Sequence, residues 1–234
     1  MALFGTIING ICIIIGCLIG LFLSNLQEKY KETIIQGIGL TVVLIGLQMA
    51  FQVNSIIIVL LSMLAGAIVG EALRLENILN RIGFFIGSKF TTTKDNTNIS
   101  QAFVTASLLF VVGAMAILGA LDSGLRGDHE ILLTKAILDG FTSFVLTTTL
   151  GFGVIFSVIP VVLFQGSIAL LAAQIEKVIP EALFNDLLVE LTSVGGLLIV
   201  AIGLNLLKIT NIRVTNLLPA ILMVSLFVSI YHLF

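Results

Sequence analysis

The sequence predicts an all-α fold, a polytopic transmembrane helix bundle of about eight spans containing a three-helix inverted repeat, and three observations carry that prediction. Hydrophobic residues make up 58% of the 234 positions and charged residues 10%, with a mean hydropathy of +1.20, which is too little polar surface for a water-soluble globule of this length. The apolar residues fall into runs close to the roughly 20 residues that a helix needs to cross a bilayer core. Two of those runs are near-copies placed 157 residues apart, Gly39-Leu-Thr-Val-Val-Leu-Ile-Gly-Leu-Gln48 and Gly196-Leu-Leu-Ile-Val-Ala-Ile-Gly-Leu-Asn205. At the same offset Asn54 matches Asn211 and Leu60-Leu61 matches Leu217-Leu218, while Asn9-Gly10 and Gln165-Gly166 form a weaker echo one residue out of register.

Taken in order, the spans run Ala2 to Leu23, Ile34 to Phe51, Ser55 to Leu73, Gln101 to Leu121, Leu132 to Thr149, Val154 to Ala173, Leu188 to Leu207 and Ile212 to Tyr231. The first has no basic leader and no cleavage site of small residues, so it reads as a retained span rather than a signal peptide. The fifth and sixth share one apolar stretch from Ile131 to Ala173, too long for one crossing at 1.5 Å per residue. Gly151-Phe-Gly153 and Pro160 interrupt it, and if it made one crossing and a re-entrant piece the count would fall to seven. Between the third and fourth spans Leu75, Ile78, Leu79, Ile82, Phe85 and Ile86 recur at helical spacing among Arg74, Arg81 and Lys89, the pattern of an interfacial amphipathic helix, and Thr91 to Ser100 reads as a polar loop.

Orientation follows from Lys and Arg, which collect on the cytoplasmic side. With eight spans and both termini outside, the inner loops hold Lys29, Lys31, Arg74, Arg81, Lys89, Lys94, Lys208 and Arg213, and the outer loops hold Arg126 and Lys177. Spans one to three then match spans six to eight, five crossings later, and an odd offset turns the second copy upside down. Residues 2–73 form the first copy, 74–100 the amphipathic helix and loop, 101–153 the linking spans, and 154–234 the inverted copy, within a single membrane domain. An inverted repeat of this kind is the sequence trace of transporter folds with a site between their halves.

Candidate chemistry lies in polar residues inside the spans, because a charged group in hydrocarbon costs a few kcal/mol and turns toward a cavity or a partner. Lys135, Asp139, Ser143 and Thr147 recur every four residues along the fifth span, with Thr142, Thr148 and Thr149 beside them, so they share one slowly drifting face. Asp139 is the candidate cation or proton site, with Lys135 as its partner and Ser143 one turn on. The alternative is that Lys135 snorkels outward, Asp139 pairs with it, and the hydroxyls bond their own helix. Thr41 and Gln48 share a face of the second span, Asn205 occupies the Gln48 position in the seventh, and Asn9, Gln165 and Asn216 complete a set of buried amides that could ring a solute at the midplane. Glu71 and Glu190 each lie within a turn of a span end and read as solvated. Pro219 should kink the eighth span.

Other signals exclude functions. No basic block or aromatic-basic interleaving points to nucleic acid, and no HExxH, GxSxG, Walker or Gly-rich phosphate sequence is present, so no catalytic residue, metal site or cofactor is expected. Asp128-His129-Glu130 reads as a solvated turn rather than a metal site, and Cys12 and Cys17 read as small buried hydrophobes. Ser143 with Asp139 and Lys135 is the one set that would suit a membrane enzyme.

The run from Gly127 through Asp128-His129-Glu130 to Ser143, the segment Thr149 to Ser157, Gln165-Gly166, Gly203 to Ile209 and Ile212 to Ala220 together resemble the bacterial membrane-protein family of YdfK and YqgA, a catalogued domain of unknown function. The likeness covers essentially the whole chain. It implies a bacterial inner-membrane protein and offers no binding or catalytic residue to carry over. Asp128, Lys135, Asp139, Gly140, Gln165, Asn205, Arg213, Asn216 and Pro219 fall within its recognisable segments. The expectation from the residues is therefore a non-enzymatic secondary transporter for a small solute or ion, H⁺- or Na⁺-coupled, forming a homodimer in the bilayer. A passive channel lined by the Lys135 to Thr149 stripe and a non-transport assembly or sensory protein are the alternatives.

Overall fold

The computed structural model describes residues 2–22, 28–78, 81 and 96–232. The elements are α1 (Phe4–Phe22), α2 (Glu28–Ala50), α3 (Ile56–Leu73), α4 (Asn96–Val111), α5 (Ala114–Leu125), α6 (Glu130–Leu150), a 3₁₀ turn (Phe152–Ser157), α7 (Val158–Val178), α8 (Glu181–Leu206), α9 (Val214–Leu217) and α10 (Ala220–Tyr231). Seven of the described helical segments are long and apolar enough to cross a membrane, and the bent pair Ile99–Val111 with Met115–Leu125 makes an eighth if counted as one span. All backbone groups of such a span bond within it, which is why helices are the form this composition takes in lipid.

The broken span is not the one the sequence suggests. The stretch from Ile131 to Ala173 resolves into two long segments, α6 and the 3₁₀ turn with α7, parted at Gly151, whose φ of 83° suits a residue without Cβ. The fourth span is the broken one. It bends by 57° between Val111 and Met115, with Gly113 at φ 138°, and its helix starts at Asn96, so residues 96–100 are helical rather than loop. Most of the amphipathic segment lies outside the described residues, although 75–78 are helical. The eighth span is interrupted between α9 and α10 at Leu218-Pro219, as the proline predicts.

The chain divides into two compact units. The first, Met1–Ile34 with Gly83–Val178, holds α1, α4, α5, α6, the 3₁₀ turn and α7. Its densest packing joins α1 to α6, which run parallel: Gly5 meets Leu132, Gly16 meets the Gly140 carbonyl and the Ser143 hydroxyl, and Gly20 meets the Phe144 carbonyl. Any side chain at Gly16 would collide with backbone, so this glycine sets the approach of the two helices. Against α1 in the opposite direction lies α7, with Gly10 on Val158 and Val162 and Gly166 facing Leu3 and Thr6. Ile13, Leu132, Ala136, Leu146 and Val161 fill the contacts between these helices.

The second unit, Ile35–Ile82 with Ile179–Phe234, holds most of α2 together with α3, α8, α9 and α10. Ile58 and Val59 of α3, Val194 of α8, and Ala220, Val224 and Val228 of α10 form its apolar core. Here the two near-copies in the sequence pack on one another, antiparallel. A Cβ on Gly46 would lie 2.8 Å from the Gly196 carbonyl, and one on Gly196 would lie 2.6 Å from the Gly46 carbonyl. Gly39 and Gly203 repeat the exchange at 3.3 and 3.0 Å. Each glycine of one copy thus meets the glycine of the other that does not share its place in the copy, as antiparallel packing of the two runs requires.

Candidate functional site

α6 starts after Gly127, at φ 68°, where Asp128 Oδ1 accepts the Glu130 amide at 3.0 Å and Glu130 adds a negative charge to the first turn. Nine residues along, Asp139 lies roughly 13 Å into the helix at 1.5 Å per residue. Lys135, one turn before, donates to Asp139 Oδ1 at 2.9 Å, and both side chains are buried. Lys135 therefore does not snorkel.

The other carboxylate oxygen reaches a second helix. Asn9 Nδ2 of α1 donates to Asp139 Oδ2 at 3.0 Å and to Gln165 Oε1 of α7 at 3.2 Å, so its two amide protons join three helices. Asn9 and Gln165 are both 0% exposed. Three polar atoms in the same neighbourhood have no partner among the described residues: Asn9 Oδ1, Gln165 Nε2 and, one turn back on α1, Thr6 Oγ1. A buried polar atom left unpaired carries a penalty of about 1–3 kcal/mol, so a group able to bond these three atoms would be favoured there. It offers one carboxylate, one ammonium, two amides and a hydroxyl in surroundings otherwise apolar. That combination suits a monovalent ion or a proton.

Ser143 is placed beside this cluster but faces α1, its hydroxyl 3.0 Å from the Ile13 carbonyl and 2.8 Å from that of Gly140. Thr148 and Thr149 bond carbonyls of their own helix. Ser143, Thr148 and Thr149 are thereby engaged with backbone carbonyls of α1 and of their own helix, while the buried Thr147 hydroxyl has no hydrogen-bond partner among the described residues.

The remaining candidates lie in the second unit and serve other ends. Gln48 is exposed on α2, and Thr41 bonds the Gly37 carbonyl of its own helix. Asn205 closes the turn between α8 and α9, with Oδ1 accepting from the Ile212 amide at 2.9 Å and from Thr210 at 2.8 Å, and Nδ2 donating to the Ile212 carbonyl at 2.7 Å. Asn216 accepts the Glu76 amide at 2.8 Å. Near it, Arg213 pairs with Glu71 at 3.1 Å and Glu76 at 3.6 Å beside Arg74, around an open polar cavity of 430 Å³. Glu71 is solvated as read from its position, but Glu190 is not: it is 1% exposed, and Oε1 accepts the Ser55 amide at 2.6 Å. A span end covered by protein is as dry as a span centre, which position alone does not reveal. Ser55 is the residue before α3, so Glu190 satisfies a backbone donor at that helix's start from across the unit. Glu190→Ala should lower stability by about 1–3 kcal/mol, read by thermal unfolding in detergent, and an unchanged midpoint would show the bond to carry nothing. His129, read as part of a solvated turn, lies 2.8 Å through Nδ1 from the buried Ser123 hydroxyl, with its ring tilted 46° to that of Phe4 at 5.2 Å.

The profile of the family described as "Protein of unknown function (DUF554)" matches residues 4–229. The chain belongs to that family. Among DUF554 relatives, the "Uncharacterized membrane protein YdfK" of Bacillus subtilis (strain 168) is 34% identical over 237 residues, covering 99% of this chain and 98% of YdfK. The "Uncharacterized protein YqgA" of Escherichia coli (strain K12) is 30% identical over 223 residues, covering 94% of this chain and 93% of YqgA. No solved structure matches this DUF554 chain. With these relatives and its apolar helices, the chain is a membrane protein.

Proposed function

We propose that this DUF554 protein is a secondary transporter of the bacterial inner membrane, moving a small solute or ion, with Asp139 as the group that binds the coupling ion. One observation carries the reading: a buried Lys135–Asp139 pair, tied through Asn9 to Gln165, sits among unpaired polar atoms inside membrane helices. A purely structural pair would be better replaced by apolar residues, because burying two charges costs more than their attraction returns unless every bond is made.

Two further features support it. Asn9 and Gln165, one residue out of register in the two sequence copies, bond where the antiparallel helices α1 and α7 meet. The reciprocal glycine contacts of α2 and α8 are antiparallel in the same way. An inverted repeat accounts for both, and such repeats put their sites at the repeat interface near the midplane. The excess of Lys and Arg on one side of the spans supports N- and C-termini outside. The engagement of Ser143 with backbone carbonyls favours a carrier over an enzyme, and the bonds of Ser143, Thr148 and Thr149 to backbone carbonyls favour it over a channel lined by those hydroxyls.

The test is flux in proteoliposomes under an imposed pH or Na⁺ gradient, with trapped pH and Na⁺ indicators. Wild type should dissipate a gradient saturably, and Asp139→Asn should fall at least tenfold. Because the single variant leaves Lys135 unpaired, Lys135→Gln/Asp139→Asn, neutral and close in shape, serves as the fold-intact control and should be equally inactive. Wild-type flux in that double variant removes Asp139 from the mechanism.

A further inference from the structure

We propose that the site exchanges a monovalent alkali cation for the proton carried by Lys135, so that the protein is an electroneutral cation/proton antiporter. The inference rests on the transport reading above and names its substrate class and stoichiometry.

Charge decides the exchange. The resting cluster holds one carboxylate and one ammonium and is neutral. A cation arriving at Asp139 while Lys135 stays protonated would leave a net positive charge buried among apolar helices, a cost of several kcal/mol. If Lys135 releases its proton, the charge count is unchanged. The step is M⁺ plus the ammonium–carboxylate pair going to a neutral Lys135 amine, an Asp139 carboxylate bound to M⁺, and H⁺ passed to water on the side then open. Lysine, unlike arginine, gives up its proton when a buried site demands it. A divalent ion would leave the site one charge positive even after that loss, so the same count excludes it.

The geometry agrees. The ammonium has three protons, and the described residues give it one short bond, to Asp139 Oδ1. The oxygens of the linked cluster are of the kind a small hard cation takes: the two of Asp139, Gln165 Oε1, and, without a partner among the described residues, Asn9 Oδ1 and Thr6 Oγ1, the last two on fully buried residues. Among the described residues no second charged side chain bonds to the pair. α1, α4 and the 3₁₀ turn contain no Asp, Glu, Lys, Arg or His. Asp122 of α5 pairs with Arg126, while Glu176 and Lys177 lie at the end of α7 remote from Gln165. Among the described residues, the other titratable groups beside α6 are Cys12, against Gly140, and Cys17, beside Ser143 and Thr147, together with His129 and Glu130 at its start.

The experiment adds Na⁺ or K⁺ outside proteoliposomes at equal pH and follows lumenal pH, with the membrane potential clamped. Wild type should alkalinise the lumen at a rate independent of the clamped potential. Lys135→Arg keeps the charge but cannot release it, and should lose exchange at least tenfold while retaining its detergent elution profile. Lys135→Gln should keep exchange, now carried by a proton on Asp139, with its pH profile shifted to the acid side. Wild-type exchange in Lys135→Arg, loss in Lys135→Gln as complete as in Lys135→Arg, or dependence of the rate on potential would each overturn the proposal. Flux of a gradient that depends on Asp139 but moves no protons on adding Na⁺ or K⁺ overturns it and leaves the transport reading standing; no Asp139-dependent flux of any kind removes both.

Discussion

Asp139→Ala is expected to lower the stability of the protein by about 3–5 kcal/mol, because it leaves the Lys135 ammonium buried without its carboxylate. Lys135→Leu/Asp139→Leu should recover most of that loss or exceed wild type, since well-packed apolar residues commonly replace a buried pair at no cost. With the single variants Lys135→Leu and Asp139→Leu the comparison becomes a double-mutant cycle read by thermal unfolding in detergent, and the coupling between the two sites is the quantity sought. A double variant as unstable as the single would mean that Asp139 is held by Asn9 rather than by Lys135. A stable but transport-dead double variant would separate the fold's need for the pair from the function's.

The second large effect is expected at Gly16. Its missing side chain admits the Gly140 carbonyl and the Ser143 hydroxyl of α6, and a Cβ there has no space at all. Gly16→Val should push α1 from α6 at the level of Cys12 to Gly20. Overpacking of this kind costs about 1–3 kcal/mol where side chains can yield, and more where the obstacle is backbone, as here. The same displacement would part Asn9 from Asp139, so flux should fall even in molecules that remain folded. Gly37→Val, at a position with nothing within 4 Å of its Cβ, is the matched control and should leave both readouts near wild type. Equal behaviour of the two variants would show that the α1–α6 approach is not set by glycine.

Much of this was legible in the residues, and the failures have physical reasons. The Lys135–Asp139 contact follows from spacing alone, since residues four apart share a helix face. The echo of Asn9-Gly10 in Gln165-Gly166 pointed to two residues that the fold joins by a hydrogen bond. Gln48 and Asn205 match in position but not in role. One is exposed and the other closes a turn, because a likeness in sequence position does not fix a residue's neighbours. Glu190 was misread because distance from a span end says nothing of protein cover. The break in the fourth span was missed because Val111-Val112-Gly113 has neither proline nor polar residue, and a single glycine more often marks close packing than a bend.

The amide of Asn9 also has a direction. It presents its NH₂ edge to Asp139 because a carboxylate only accepts, and that choice obliges Gln165 to show its oxygen in return. Were Asp139 to carry a proton, the favoured orientation of Asn9 would reverse, its oxygen taking the new O–H, and Gln165 would have to turn over to offer its idle NH₂. The order of donors and acceptors from α6 through α1 to α7 is thus a one-bit record of the charge on Asp139, written in side-chain rotations and readable on a helix that Asp139 itself does not hydrogen-bond.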